Sequence, residues 1–189
     1  MRAKTETADD RVLEDEAPGG AWSPLRLDLF RALWLAALVS NIGTWMQNVA
    51  AVWYMTSLTS SPLMVALVQA ATSLPVFLVG LPAGAAADIF DRRRLLLWTG
   101  GWMLAIAGIL AALTFAGSMT ASLLLALTFA LGLGMAMSAP SWQAITPEVV
   151  PRPDLSRAIA LNALTVNIGR AIGPALGGVL VAATGVALA

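Results

Sequence analysis

One arginine stands alone inside a long apolar stretch near the carboxyl end of this 189-residue chain. After Arg157, Arg170 is the only charged residue. A charged side chain at the centre of a membrane-spanning helix costs roughly 2.5 to 3.5 kcal/mol, so it needs a cavity or a polar partner. Asn167 lies three residues earlier, on the same helical face, and can supply hydrogen bonds. We interpret Arg170 as a functional residue that lines a cavity; the alternative is a structural arginine satisfied by carbonyl groups of adjacent helices.

The same stretch carries glycines at a spacing that favours tight helix packing. Gly169, Gly173 and Gly177 recur every four residues, so on a helix they form one groove, with Gly178 beside it. Pro174 removes a backbone hydrogen bond and predicts a bend. A bent, glycine-faced helix suits a gate that slides or flexes, whereas a static packing face would need the same spacing.

A second segment combines a glycine, two aspartates and a basic run, over the residues Gly84, Asp88, Asp91, Arg92, Arg93 and Arg94. Gly84 can let a neighbouring backbone approach closely. Asp88 can cap a helix N-terminus or pair with an arginine. We interpret the segment as a gating motif, and the alternative is a charged cluster that only fixes topology.

Polar side chains also recur at helical spacing inside uncharged apolar stretches. We predict that five of them line a substrate path: Asn41, Thr44, Asn48, Gln69 and Asn167. Hydrogen bonding between helices is the alternative role for such residues.

Several classes of chemistry lack the residues they need. The chain has no cysteine and no histidine, so we expect no disulfide, zinc site or histidine proton relay. No nucleophile–base pair or phosphate loop is present, and we predict neither an enzyme nor a cofactor. The net charge is zero and we expect no nucleic-acid partner. Asp88 and Glu148 lie at the edges of apolar stretches, so a proton-binding carboxylate would have to come from elsewhere.

The elements that hold these residues follow from composition. Hydrophobic residues make up 58% of the chain and charged residues 12%, about half the share usual in soluble domains. Because about 20 apolar residues span a bilayer, the chain is predicted to be all-α and transmembrane. Residues 1–28 are expected to be a disordered cytoplasmic tail, and residues 29–189 to hold five helices at about 31–55, 62–87, 95–116, 121–145 and 155–184.

The links between these helices alternate in charge. Residues 88–94 and 147–157 contain arginines, whereas residues 56–61 and 117–120 are uncharged. Under the positive-inside rule, the charged links and the N-terminus lie in the cytoplasm. We therefore predict an integral protein of the cytoplasmic membrane with a cytoplasmic N-terminus.

Both motifs resemble those of the major facilitator superfamily, in particular its enterobactin-exporter-like and macrolide-efflux-like branch. Residues 84–94 look like the signature between helices 2 and 3. Residues 169–178 fit the helix-5 antiporter pattern G-x-x-x-G-P-x-x-G-G at every fixed position, and the loops 58–62 and 146–151 are similar too. Ile89 and Asp91 depart from the signature, which usually has arginine and glycine there. Residues 121–145 also lack the arginine that many relatives carry, which argues against proton antiport through the usual aspartate–arginine coupling.

The resemblance implies a twelve-helix fold of two six-helix bundles that works by alternating access. This chain would supply helices 1–5 of the first bundle, so we expect a fragment whose second bundle is missing. Asp88 and the arginines after it would stabilise the outward-facing state. Gly173 and Pro174 would form a bend that faces the second bundle and limits leakage.

The predicted function is secondary active export of small amphipathic molecules, with membrane lipids and a small-molecule substrate as partners. Two alternatives remain open. One is a small membrane protein that binds or regulates a partner through the glycine face of its fifth helix. The other is a non-functional truncated product.

Overall fold

The computed structural model describes residues 20–184, apart from the side chains of residues 86–88 and 184. Within that range the regular structure is entirely helical. Five long helices follow one another: α1 Asp28–Leu58, α2 Pro62–Ile89, α3 Arg92–Phe115, α4 Ala121–Val149 and α5 Leu155–Thr184. Each is long and apolar enough to cross a membrane. The predicted count of five transmembrane helices is thereby confirmed.

The helix ends differ from the sequence prediction where caps and ion pairs extend a helix. α3 begins at Arg92 because the Asp91 carboxylate accepts a hydrogen bond from the backbone N–H of Arg94, which caps the first turn. α1 begins at Asp28, which pairs with Arg31 across one turn. α4 continues through Pro147 to Val149, although a proline inside a helix removes a backbone hydrogen bond.

The segment before α1 is more ordered than the sequence predicted. Residues Ser23–Arg26 form a 3-10 helix, where a disordered tail was expected. Ser23 donates a hydrogen bond to Asp154, in the short 3-10 helix Arg152–Asp154 that precedes α5. This contact holds the segment against the α4–α5 link. Residues 1–19, the rest of the predicted tail, lie outside the described residues.

Packing is concentrated in two helix pairs, α1 with α5 and α2 with α4, and α3 packs on α4. Two apolar clusters close the bundle at opposite ends. Ala51, Met55, Val68, Met119 and Leu124 fill the end with the uncharged links. At the other end the cluster consists of Phe30, Val150, Ala158 and Leu161. The polar residues of α1 lie between these clusters, near mid-length of the helices.

Candidate functional site

A cavity of about 260 Å³ opens between α1, α2, α4 and α5. Its lining comes from residues near the middle of each helix: Asn41, Thr44, Trp45, Gln47, Asn48, Thr72, Thr128, Leu131, Gly132, Met135 and Val166. The polar groups in this set are amides and hydroxyls together with the indole of Trp45, and the lining has no charged side chain. The cavity can therefore offer hydrogen bonds, but no counter-charge, to a molecule inside it.

Helix α1 contributes the largest share of this lining. Asn41, Thr44 and Asn48 all reach the cavity, so their predicted location beside a cavity agrees with the packing of the helices. Their spacing of three and four residues places them on one side of the helix. The amide of Asn41 donates to the Ala37 carbonyl at 2.8 Å and contacts the hydroxyl of Thr165 on α5 at 3.5 Å. Asn41 thus also links the two helices beside the cavity.

Two polar atoms of the lining are buried without a hydrogen-bond partner among the described residues, the amide nitrogen Nε2 of Gln47 and the hydroxyl Oγ1 of Thr128. Thr128 is only 1% exposed. A buried polar group left unpaired costs about 1 to 3 kcal/mol, and such groups are uncommon in folded proteins. Both atoms belong to residues that border the cavity, but the atoms themselves are covered by neighbouring groups and do not open into it.

The wall between α2 and α4 depends on a glycine. A Cβ added to Gly132 would lie 2.8 Å from Cγ of Pro75 and 3.2 Å from the Ala71 carbonyl oxygen. Any larger side chain would push the two helices apart at the level of the cavity. This close approach brings Thr72 and Thr128 to the same cavity from opposite helices.

Two residues predicted to line the path do not reach this cavity. Gln69 is exposed, and its amide contacts the hydroxyl of Ser73, one turn later, at 3.4 Å. The buried position there is Val68, which turns Gln69 outwards. Asn167 is also exposed, because it lies two residues, or about 200°, beyond Thr165 on the buried face of α5.

Arg170 is exposed at mid-length of α5 and is absent from the cavity lining. It therefore does not line this cavity, which reaches only Val166, one turn earlier. The structural alternative also lacks support among the described residues. The guanidinium donates to the side-chain oxygen Oδ1 of Asn167, on the same helix, at 3.1 Å, and not to carbonyl groups of another helix. This hydrogen bond uses one of the five N–H donors of the guanidinium.

The predicted glycine groove of α5 is present, and α1 fills it. A Cβ added at Gly169 would lie 2.9 Å from the backbone carbonyl carbon of Asn41. One added at Gly173 would lie 2.5 Å from Cβ of Trp45. At Gly177 the nearest atom would be Cα of Met46, at 3.1 Å. Gly173 thus faces α1, and the implied bend toward a second bundle stays a prediction.

The remaining residues of that motif lie beside the groove. Gly178 is exposed, and an added Cβ there would meet nothing within 4 Å. α5 continues through Pro174 without interruption. The expected bend at that proline stays a prediction.

The segment from Gly84 to Arg94, whose gating role stays a prediction, ends α2 and begins α3. An added Cβ at Gly84 would meet nothing within 4 Å, so no described backbone approaches there. The Asp88 side chain lies outside the described part of the structure. Asp91 supplies the cap instead, and Arg92 forms an ion pair with Glu148 at the end of α4. The next two residues, Arg93 and Arg94, are exposed at the same end of the bundle.

Comparison with known proteins identifies the family to which this bundle belongs. A family model described as "Transmembrane secretion effector", a branch of the major facilitator superfamily, matches residues 19–189. The chain belongs to this family. The enterobactin exporter of Citrobacter koseri is 33% identical over 84% of the chain. The staphyloferrin A transporter of Staphylococcus aureus is 29% identical over 75%, and macrolide efflux protein A of Streptococcus pyogenes 22% identical over 80%.

These transmembrane secretion effector relatives are longer proteins. The aligned region covers 38% of the enterobactin exporter, 36% of the staphyloferrin A transporter and 37% of macrolide efflux protein A. No solved structure matches the chain significantly. The helix arrangement described above is therefore the basis for assigning roles to residues.

Sequence reasoning did not identify Thr128 as a residue of the cavity. Threonine is common in apolar helices, where its hydroxyl usually bonds to a carbonyl one turn back, as Thr114 does with Leu110 at 2.8 Å. Nothing in the sequence separates Thr128 from Thr114. Only the helix packing shows that Thr128 borders a cavity, with its hydroxyl unpaired among the described residues.

Proposed function

We propose that the chain forms part of an export-type secondary transporter, which moves small amphipathic molecules across the cytoplasmic membrane by alternating access. The observation that carries this proposal is the uncharged polar cavity at mid-length of four transmembrane helices. Transporters bind their substrates near the bilayer midplane, between packed helices. Membership of a family of transporters supports the same conclusion.

The orientation in the membrane follows from the charged end of the bundle. Three consecutive arginines, residues 92–94, begin α3, and Arg152 and Arg157 flank the start of α5 at the same end. The positive-inside rule puts this end in the cytoplasm, together with the N-terminus. The Arg92–Glu148 pair would then hold α3 to α4 on the cytoplasmic side.

Alternating access needs a second body against which this bundle can move. α4 packs extensively against both α2 and α3, whereas α1 packs mainly against α5 and makes fewer contacts with α2 and α4. Leu35, Val39 and Trp53 of α1 remain exposed, and so does Arg170 of α5. We propose that further helices, organised as a second bundle, cover these surfaces in the working transporter. A proton-coupled mechanism would depend on a carboxylate in those helices.

The alternative function, binding or regulating a partner protein, would need the glycine face of α5 to be open. That face is occupied by α1, and among the motif glycines of that helix only Gly178 is open to a partner. We therefore rank transport above partner binding.

The first experiment is to tag the chain at its own locus, measure the size of the product in membranes, and assay that product for export. Suitable probes are enterobactin, staphyloferrin A and a macrolide antibiotic, which are the compounds that appear in the names of the relatives. Faster loss of one probe from producing cells than from deletion cells would support the proposal. Equal retention of all three, with the product present in the membrane, would contradict it for these substrate classes.

A further inference from the structure

The segment that precedes α1 is packed into the charged end of the bundle. We call residues 22–27 the strap; most of it is the 3-10 helix Ser23–Arg26. Pro24 is buried, and Leu25 and Leu27 pack against an apolar cluster. The cluster consists of Phe30 on α1, Val150 after α4, and Ala158 and Leu161 on α5. The strap therefore contacts the side chains that join α1, α4 and α5 at this end.

One polar contact fastens the strap to the rest of the chain. The hydroxyl of Ser23 donates a hydrogen bond to the carboxylate of Asp154, which also accepts one from Arg157 at 2.7 Å. The Asp154 side chain is 26% exposed, so water can replace Ser23 when the strap lifts. The strap is thus held by apolar packing and by one hydrogen bond that can exchange with water.

A narrow crevice lies beside the cluster, between α1, α4 and α5. Its volume is about 10 Å³, close to the minimum for a single water molecule, so it excludes larger solutes. Phe30 and Val149 line the crevice, and both also belong to the apolar packing that the strap covers. Inside it, Nδ2 of Asn162 on α5 donates to the hydroxyl of Thr146 on α4 at 2.9 Å. The crevice is therefore closed in this structure but has a polar interior.

The crevice lies in line with the larger cavity, on the side of the charged end. On α5, Asn162 of the crevice comes about one turn before Val166 of the cavity. On α4, Trp142 of the crevice comes about two turns after Met135 of the cavity. α4 and α5 make few direct contacts with each other. A loosely packed seam between these two helices thus runs from the cavity, through the crevice, to the strap.

We propose that the strap is a lid on this seam. While Ser23 is bonded to Asp154, the lid holds the apolar cluster in place and the crevice stays closed. Release of the strap loosens the cluster and opens the crevice to water and small solutes from the charged end. The proposal goes beyond the proposed function, because it adds a closure within this bundle, and opening of the crevice can be measured without transport.

Cysteine is absent from the sequence, so one introduced thiol can report on the crevice. The reporter is Thr146→Cys in the full chain, in membranes, and the measurement is its labelling rate with the small neutral reagent hydroxyethyl methanethiosulfonate. Ser23→Ala loosens the lid and leaves the Asp154–Arg157 pair intact. Ser23→Thr keeps a hydroxyl and is the conservative control. A second reporter, Thr114→Cys, is buried near the opposite end of the bundle and detects general loosening of the fold.

We expect Ser23→Ala to raise the labelling rate of Thr146→Cys about tenfold, because a hydrogen bond to a charged group changes a closing equilibrium by roughly that factor. With Ser23→Thr, the same reporter should be labelled at the rate found with the native serine. The labelling of Thr114→Cys should be unaffected by either substitution.

An unchanged labelling rate of Thr146→Cys in the presence of Ser23→Ala would overturn the proposal. An equal acceleration at Thr114→Cys would overturn it too, because the substitution would then loosen the whole bundle and not a lid. Failure of the proposed function has a different signature. In that case the strap would still control the labelling of Thr146→Cys, but no probe would be exported.

Discussion

At the scale of single residues, two residues beside the cavity lower the stability of the fold, whereas Arg170 contributes little to it. Gln47 and Thr128 keep polar atoms buried without partners among the described residues, which costs free energy of folding. Arg170 is exposed, and its hydrogen bond goes to a neighbour on the same helix. Function and stability can therefore be separated by choosing the residue to change.

Replacing Thr128 with valine removes an unpaired buried hydroxyl at nearly constant volume. We expect thermal stability in detergent to rise, with the free energy of unfolding higher by up to about 1 kcal/mol. A matched control is Thr114→Val, whose native hydroxyl is already bonded to Leu110 and which should show no such gain. An unchanged or lower unfolding temperature for Thr128→Val would contradict an unpaired hydroxyl at this position.

Arg170→Ala tests the exposed cation at mid-length of α5. Because the side chain makes its hydrogen bond within its own helix, its loss should cost only about 0.5 kcal/mol of stability. Export should nevertheless be abolished, as measured by flux at equal membrane levels of the two proteins. Arg170→Lys, which keeps the charge, should retain part of the flux. Full export by the alanine variant would assign Arg170 no part in the mechanism.

At the scale of helices, the α1–α5 pair depends on the absence of side chains on α5. Gly173→Ala would place a Cβ 2.5 Å from Cβ of Trp45 and 2.9 Å from the Ile42 carbonyl oxygen. Overpacking of this kind typically costs about 1 to 3 kcal/mol, and a leucine should cost more and impair export. Gly178→Ala, on the same helix, meets open space and should be silent.

Thermal unfolding of the two glycine variants gives the comparison directly. Equal midpoints for Gly173→Ala and Gly178→Ala would contradict the close packing of α1 on α5.

The helices themselves were the most predictable level of this structure. Uncharged stretches of suitable length determine where a chain can cross a membrane, and all five were found from sequence. The ends were less predictable, because caps such as Asp91 and a tolerated Pro147 depend on local hydrogen bonds.

The candidate site was predictable only in part. Asn41, Thr44 and Asn48 share a face, so their joint location could be predicted. In lipid, however, a helix can be apolar on every side, and the sequence then does not show which polar residue points inward. Gln69 is exposed beside the buried Val68, and Thr128 borders a cavity formed with three further helices; the sequence pattern shows neither arrangement.

At the scale of the whole molecule, the arrangement of charged and uncharged ends predicts one topology. The exposed residue Ser118 lies in an uncharged link, and Ser156 is exposed at the charged end, near the start of α5. In intact cells, a membrane-impermeant maleimide should label Ser118→Cys and spare Ser156→Cys. Permeabilised cells should label both. The reverse pattern would mean that the N-terminus lies outside, and would overturn the proposed orientation.

We propose that substrate leaves the cell through the cavity between α1, α2, α4 and α5. The most direct test is the export rate of an established substrate by Thr44→Cys, before and after complete labelling of the thiol with the small neutral reagent hydroxyethyl methanethiosulfonate. The control is Ser118→Cys, whose thiol lies outside the cavity and whose export should be insensitive to the same reagent. We predict that labelling of Thr44→Cys reduces export to a small fraction of its starting rate, because the attached group fills the space the substrate needs. Undiminished export by fully labelled Thr44→Cys would contradict the account.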